Sequence, residues 1–337
     1  MPLTLQVEAD RWREHLKAYV AEHAGTVPVT KGNGYGFGTP VLAAEAAHLG
    51  VATLAVGTYD ELPAVAGFPG EVLVLSPWRP GEPLQTDRVV HTVSRLTDLR
   101  ELVKGDVSPP VVVEVMTTMR RHGISSDEVS AAVELLDRVD FRGWALHLPL
   151  AGDQLAEARR LAPDLVTAAP GPLWLSHLAP SDASTLARET DTDVRIRVGT
   201  ALWLGTRSAL RARATVLDVH ELRRGDTYGY RQRRARRTGR LVVAAGGTAH
   251  GIALEGPTPA STMRQRAVAI AKGGLEATGR ALSPFHIAGK QRWFAEPPHM
   301  QCSLLWLPVD VTPPAVGDEL DVDVRFTTTT FDQLRWT

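Results

Sequence analysis

An alternation running through the first two thirds of the chain constrains its fold more than any other feature. Eight short, strand-like apolar runs occupy residues 27–30, 52–58, 71–76, 89–94, 111–117, 141–148, 173–178 and 194–199. Amphipathic, helix-like pieces separate them, among them 40–49, 126–139, with Ser125 or Ser126 as N-cap, and 153–161. Near-continuous apolar strands joined by helices belong to a parallel sheet covered on both faces, and eight such units are what a closed barrel requires. A doubly wound open sheet is the competitor, but the chain has no G-x-G-x-x-G turn. After about Arg211 the texture changes: Val, Thr, Gly and Pro dominate and helix-length periodicity becomes scarce. The expected fold class is therefore α/β, a (β/α)8 TIM barrel over residues 10–211 followed by a C-terminal mainly β domain over 212–337. A chain of 337 residues that is 44% hydrophobic can bury a core of that size.

Composition narrows the partners. A net charge of -1 offers no field to nucleic acid or to an anionic membrane, and the basic run 231–237 reads as an exposed hairpin tip. A lone Cys302 excludes an intrachain disulfide framework and disfavours a thiolate zinc site. No H-E-x-x-H or similar spacing points to a metal. The N-terminal segment is too polar for a secretory core and no apolar run reaches membrane-spanning length. The expectation is a soluble cytoplasmic protein that binds no metal, nucleic acid or membrane.

One lysine stands out. Lys31 ends the first apolar run and opens the glycine-rich turn of V-T-K-G-N-G-Y-G-F-G, residues 29–38. Glycines let backbone approach an anion, and an apolar strand can desolvate the amine and lower its pKa. This suits a lysine that forms a Schiff base beneath a phosphorylated cofactor; an ordinary loop lysine is the alternative.

The same segment resembles the cofactor-lysine motif of the alanine racemase family, usually close to V-V-K-A-N-A-Y-G-H-G. The resemblance implies pyridoxal 5'-phosphate as cofactor, carried by Lys31, with Tyr35 as the motif tyrosine. It also implies that the first residues, 1–9, form a strand packing with the β domain. Further positions follow the family pattern. In E-V-M-T-T-M-R-R-H-G (114–123), Arg121 matches the arginine that binds the substrate carboxylate, a task suited to a guanidinium fork. Glu114 stands where many members carry a carbamylated lysine, so it could supply that negative charge directly, while Met116 and Thr118 depart from the pattern. His147 matches a histidine beside the cofactor ring, although a histidine in an apolar strand is commonly a hydrogen-bonded core residue. Ser181 matches a phosphate-binding serine, and a serine opening a helix is also an N-cap. Arg197 matches the arginine facing the pyridine nitrogen, and the backbone around Gly199 and Thr200 matches phosphate ligands.

In the β domain, R-R-G-D-T-Y-G-Y (223–230) resembles the segment holding the catalytic tyrosine, which makes Tyr228 the match and Tyr230 a close competitor. In the family this tyrosine serves the neighbouring subunit, so the resemblance implies a homodimer with composite sites. Met300 matches a residue whose N–H meets the substrate carboxylate, with a core methionine as the alternative. Thr248 and His250 replace a tyrosine and an aspartate of the family pattern; the family's tyrosine narrows the substrate entrance, so the smaller threonine predicts that larger amino acids are admitted. No tyrosine follows Tyr230, so phosphate anchoring is expected to rest on Tyr35, Ser181 and backbone amides, or on a hydroxyl among residues 327–330. The implied function is amino-acid racemisation by two bases, Lys31 and Tyr228. A related pyridoxal-phosphate reaction such as decarboxylation, or cofactor binding without turnover, is the alternative.

Overall fold

The computed structural model describes residues 2–254 and 281–337; residue 1 of the expected N-terminal strand and residues 255–280 of the expected β domain lie outside them. The chain divides into two units, Arg11–Gly34 with Gly38–Thr206, and Met1–Asp10 with Tyr35–Phe37 and Arg207–Thr337.

In chain order, β1 (Leu3–Val7) and α1 (Ala9–Glu22) come first. The first unit then builds β2 (Thr26–Pro28), β3 (Thr53–Val56), β4 (Glu71–Val74), β5 (Val89–Val93), β6 (Pro110–Val115), β7 (Asp140–His147), β8 (Leu173–Ser176) and β9 (Val194–Val198). They form one sheet, β2-β9-β8-β7-β6-β5-β4-β3, with every pairing parallel. A parallel bridge between Val29 and Ala55 brings β2 back to β3, with the Thr30 amide donating to the Ala55 carbonyl at 2.8 Å, so the sheet closes into a TIM barrel. The interior is filled by Val27, Val29, Ala55, Leu73, Val90, Val112, Ala145 and Trp174. Small Ala55 and Ala145 make room for the indole of Trp174, whose N–H is satisfied by the Arg142 carbonyl at 2.8 Å.

The connections are less regular than the strands. Helices α2 (Thr39–His48), α3 (Leu96–Leu102), α5 (Gln154–Ala168), α6 (Pro180–Thr190) and α7 (Thr200–Leu204) follow their strands, but the expected helix over 126–139 is broken. Ser125 and Glu128 form a capping box, α4 covers Val129–Val133, and the bonding then tightens to i→i+3 as the chain turns into β7. A 3-10 turn containing Pro63 stands between β3 and β4, and no helix stands between β4 and β5.

The second unit contains β10 (Leu210–Leu222), β11 (Thr227–Tyr228), β12 (Arg233–Arg234), β13 (Gly239–Ala245), β14 (Leu282–Ile287), β15 (Lys290–Phe294), β16 (Cys302–Pro308), β17 (Glu319–Val322) and β18 (Gln333–Trp336). Its sheet runs β13-β16-β15-β14-β17-β10-β1-β18, and a further β13–β10 pairing closes six of these strands into a ring. β1 is antiparallel to β10 and parallel to β18. Leu3, Val216, Val242, Phe285, Leu305 and Leu307 are among its fully enclosed apolar side chains.

Candidate active site

The barrel gathers its titratable groups at the C-terminal ends of its strands, where such folds place chemistry. Lys31 follows β2. The carbonyl of Val29, two residues earlier, accepts the indole N–H of Trp203 at 2.8 Å, and Trp203 stacks on Trp12 with ring centroids 6.1 Å apart. Those contacts fix where the strand ends. The turn after Lys31 is tight: the Gly34 amide donates to the Lys31 carbonyl at 3.1 Å. Gly34 has φ +58 and a Cβ there would sit 2.5 Å from the Thr39 nitrogen, so glycine is required on both counts. Glu61, from the 3-10 turn after β3, accepts the Gly32 amide at 2.7 Å and the Gly57 amide at 2.6 Å, and so ties the lysine turn to the neighbouring strand.

Electrostatics groups these residues into one site. Lys31 lies just beyond the C-terminal end of β2, and its pKa is lowered by desolvation, then by Arg121 and Arg197, with Glu61 opposing. His147, at the end of β7, is pushed down to about 3 by burial and by Arg197, Arg121, His177 and Lys31, so its ring is neutral at ordinary pH. Its Nδ1 is 2.9 Å from the Ser176 hydroxyl, its carbonyl accepts the Thr117 hydroxyl at 2.7 Å, and its ring meets that of His177 edge-on at 5.1 Å. Arg197 is buried on β9. One guanidinium nitrogen donates to the Leu146 carbonyl at 3.0 Å, while its Nε has no partner among the described residues. Burial lowers Arg197 to about 10; Glu114 opposes that and Arg121 adds to it. It remains charged at neutral pH.

Lys31, Arg121, His147 and Arg197 therefore lie within one another's electrostatic reach. Glu114 is buried with one carboxylate oxygen unpartnered, and its field acts on Arg197 and His122. Ser181 lies exposed in the first turn of α6; Ala179 is the N-cap there and Pro180 holds N1. Gly199 precedes α7 in a non-helical conformation, with Thr200 as the first helical residue. Glu61 and His177 went unnoticed in the sequence. An acid shortly after the second apolar run and a histidine near the end of the seventh were the available signals.

The remaining candidates lie in the second unit. Tyr35 is buried with φ +53, and burial pushes its phenol up to about 12. Tyr228, on β11, donates its hydroxyl to the Ala295 carbonyl at 3.3 Å, and Tyr230 is 83% exposed with its ring 4.2 Å from that of His299. Met300 is 70% exposed, which removes the core alternative. Thr248 is exposed, whereas His250 is buried: its Nδ1 accepts the Gly247 amide at 3.1 Å and its Nε2 lies 3.0 Å from an Asp332 carboxylate oxygen. His250 is thus a structural residue of this unit.

Solved structures share this fold. An alanine racemase from Bartonella henselae with covalently bound pyridoxal phosphate superposes with a TM-score of 0.70 at 16% identity, covering 96% of this chain and 91% of that one. A histidine racemase from Leuconostoc mesenteroides subsp. sake does so with a TM-score of 0.68 at 18% identity, covering 99% and 97%. In sequence, the alanine racemase of Acidiphilium cryptum (strain JF-5) is 26% identical over 275 residues, 74% of this chain and 76% of that protein. Residues 7–207 match the family model described as alanine racemase, N-terminal domain. The chain belongs to the alanine racemase family.

Proposed function

We propose that the protein is a pyridoxal-phosphate-dependent amino-acid racemase, an isomerase interconverting L- and D-amino acids, with Lys31 and Tyr228 as its two proton-transfer groups. Family membership supports the reaction class and the cofactor. The observation that carries the reading to residues is the cluster at the strand ends: a lysine with a lowered pKa among Arg121, Arg197 and a neutral His147.

The residues present fit the cofactor. A buried, charged guanidinium with an unpartnered Nε suits a ring nitrogen that accepts a hydrogen bond, and a neutral imidazole suits the ring itself. Lys31 would hold the cofactor by its amine, Arg197 and His147 would address its ring, and Tyr35, Ser181 and the amides of Gly199 and Thr200 would take its phosphate. When bound, pyridoxal phosphate withdraws electrons from the substrate α-carbon and acidifies its proton.

The chain's own residues do the rest. Arg121 takes the substrate carboxylate, with the Met300 N–H assisting. Arg197, still protonated at neutral pH, donates a hydrogen bond but does not give up a proton, which moderates the electron withdrawal and favours simple proton exchange. The lowered pKa leaves more of the Lys31 amine neutral, so it can accept the α-proton on one face, and Tyr228 serves the other. We read the protein as a cytoplasmic homodimer in which Tyr228 acts in the partner's site. The exposed threonine at 248 supports a substrate larger than alanine.

Incubating the protein with pyridoxal phosphate and single amino acids in heavy water tests the reading. Deuterium at the α-carbon with loss of optical purity is expected, with serine, lysine or arginine turned over alongside alanine. Carbon dioxide release would reassign the reaction to decarboxylation, and a visible chromophore without α-exchange would leave a cofactor-binding protein. Alanine turnover with equal rejection of the three larger amino acids would remove the substrate reading.

A further inference from the structure

What surrounds Tyr228 assigns a role to a residue outside the family pattern, and the assignment rests on the reading of Tyr228 as the second proton-transfer group. Tyr228 and Arg233 are register partners across the β11–β12 pair. Their side chains converge on one acceptor: the phenol donates to the Ala295 carbonyl at 3.3 Å and the Arg233 guanidinium donates to the same oxygen at 3.0 Å. A phenol that has given up its proton can no longer donate to that carbonyl and faces its negative end. A cation at the same acceptor offsets that repulsion.

The other charged groups nearby do not take that part. Glu296, next to Ala295, is buried, and its carboxylate is engaged by His299 Nε2 at 2.6 Å and by the Tyr230 amide at 3.3 Å. Cys302, opening β16, is held up by burial and by Glu296, so its thiol stays neutral. Asp226 accepts the Arg223 amide at 2.7 Å, and Arg234 pairs with Thr227 across the strands and is exposed. The hairpin is also fixed in place: Gly229 has φ +71, and a Cβ there would run into the Glu296 carboxylate. The Tyr230 ring lies tilted against that of His299, with centroids 4.2 Å apart, and its amide donates to the Glu296 carboxylate and not to the Ala295 carbonyl.

We infer that Arg233 is a positioning residue for Tyr228, holding the phenol at the Ala295 carbonyl and standing as its counter-charge when the proton leaves. The guanidinium acts through Tyr228 and needs no contact with substrate. It also separates Tyr228 from Tyr230, its neighbour in the sequence motif.

The test compares Arg233→Gln, Arg233→Lys and Tyr228→Phe as holoenzymes. Glutamine keeps an N–H for Ala295 and removes the charge; lysine restores the charge. Two readouts are taken: the pH profile of α-proton exchange in each enantiomeric direction, and the tyrosinate absorbance titration, with Tyr228→Phe defining the step that belongs to Tyr228. In Arg233→Gln that step and the matching limb of the profile move to higher pH by about one unit, and exchange at neutral pH falls about tenfold. Arg233→Lys returns both most of the way. An unmoved step in Arg233→Gln, with the step absent in Tyr228→Phe, overturns the role of Arg233 alone. An intact limb in Tyr228→Phe overturns the reading of Tyr228 beneath it.

Discussion

The barrel and the β unit place their chemistry in opposite ways. In the barrel, candidate groups succeed one another at strand ends, and the contacts that hold them join adjacent strands at short, regular separations: Thr117 to His147 across 30 residues, His147 to Ser176 across 29. In the β unit, Tyr228 sits on a two-residue strand held by groups far along the chain, 67 residues away for Ala295. A repeated strand–helix unit writes its site into the sequence once per repeat, whereas a closed antiparallel sheet assembles one from unrelated segments.

The sharpest way to break this contrast is Lys31→Ala. If the barrel's strand ends carry the reaction, α-exchange falls by about 10^3-fold or more and the visible chromophore disappears, while β-unit variants such as Tyr228→Phe keep the chromophore. A retained chromophore in Lys31→Ala, read by absorbance after dialysis against excess cofactor, would move the centre of the site away from the first strand.

Legibility follows the same division. The eight strands were readable because each is a short, largely apolar run set between helix-like or turn segments, and Arg121, His147 and Arg197 because they stand at or near strand ends. Glu61 was hidden because it reaches Gly32 and Gly57 from a 3-10 turn that no periodicity announces. The helix over 126–139 read as continuous because its apolar spacing persists although its hydrogen bonding tightens after Glu134. Arg233, Glu296 and His299 were beyond reach, since only the folded sheet brings Arg233 to the acceptor of Tyr228 and Glu296 and His299 to Tyr230. The part His250 plays was hidden for the same reason: its partners, Gly247 and Asp332, make it a buried brace.

A second variant sharpens the claim that the strand end is held from inside the barrel. Trp203→Phe keeps most of the ring area against Trp12 but leaves the buried Val29 carbonyl without its 2.8 Å donor. An unsatisfied buried acceptor costs about 1–3 kcal/mol, so the denaturant midpoint falls with little change in slope. A loss below about 0.5 kcal/mol would mean that the strand end is held elsewhere.

The smallest effect distinguishes the units by acid. Asp332 braces the β unit: one carboxylate oxygen accepts the Leu3 amide at 2.8 Å and the other meets His250 at 3.0 Å. Burial alone would raise its pKa, but the His250 and Leu3 hydrogen bonds outweigh that and hold it below its usual value. A carboxyl depressed in the folded state binds fewer protons there than in the unfolded chain. Its contribution is therefore full above the ordinary carboxylate range near 4 and is lost as pH falls through the folded value. In the barrel, His147 stays neutral when folded but protonates below about 6.5 when unfolded, so its penalty begins at a higher pH. Because the Asp332 side chain is 43% exposed, screening limits Asp332→Asn to about 1 kcal/mol or less at pH 6. That difference should shrink in paired thermal melts as pH falls from 6 through the depressed Asp332 value, while a gap that stays the same size at every pH would show that the brace works through the shape of the side chain and not through its charge.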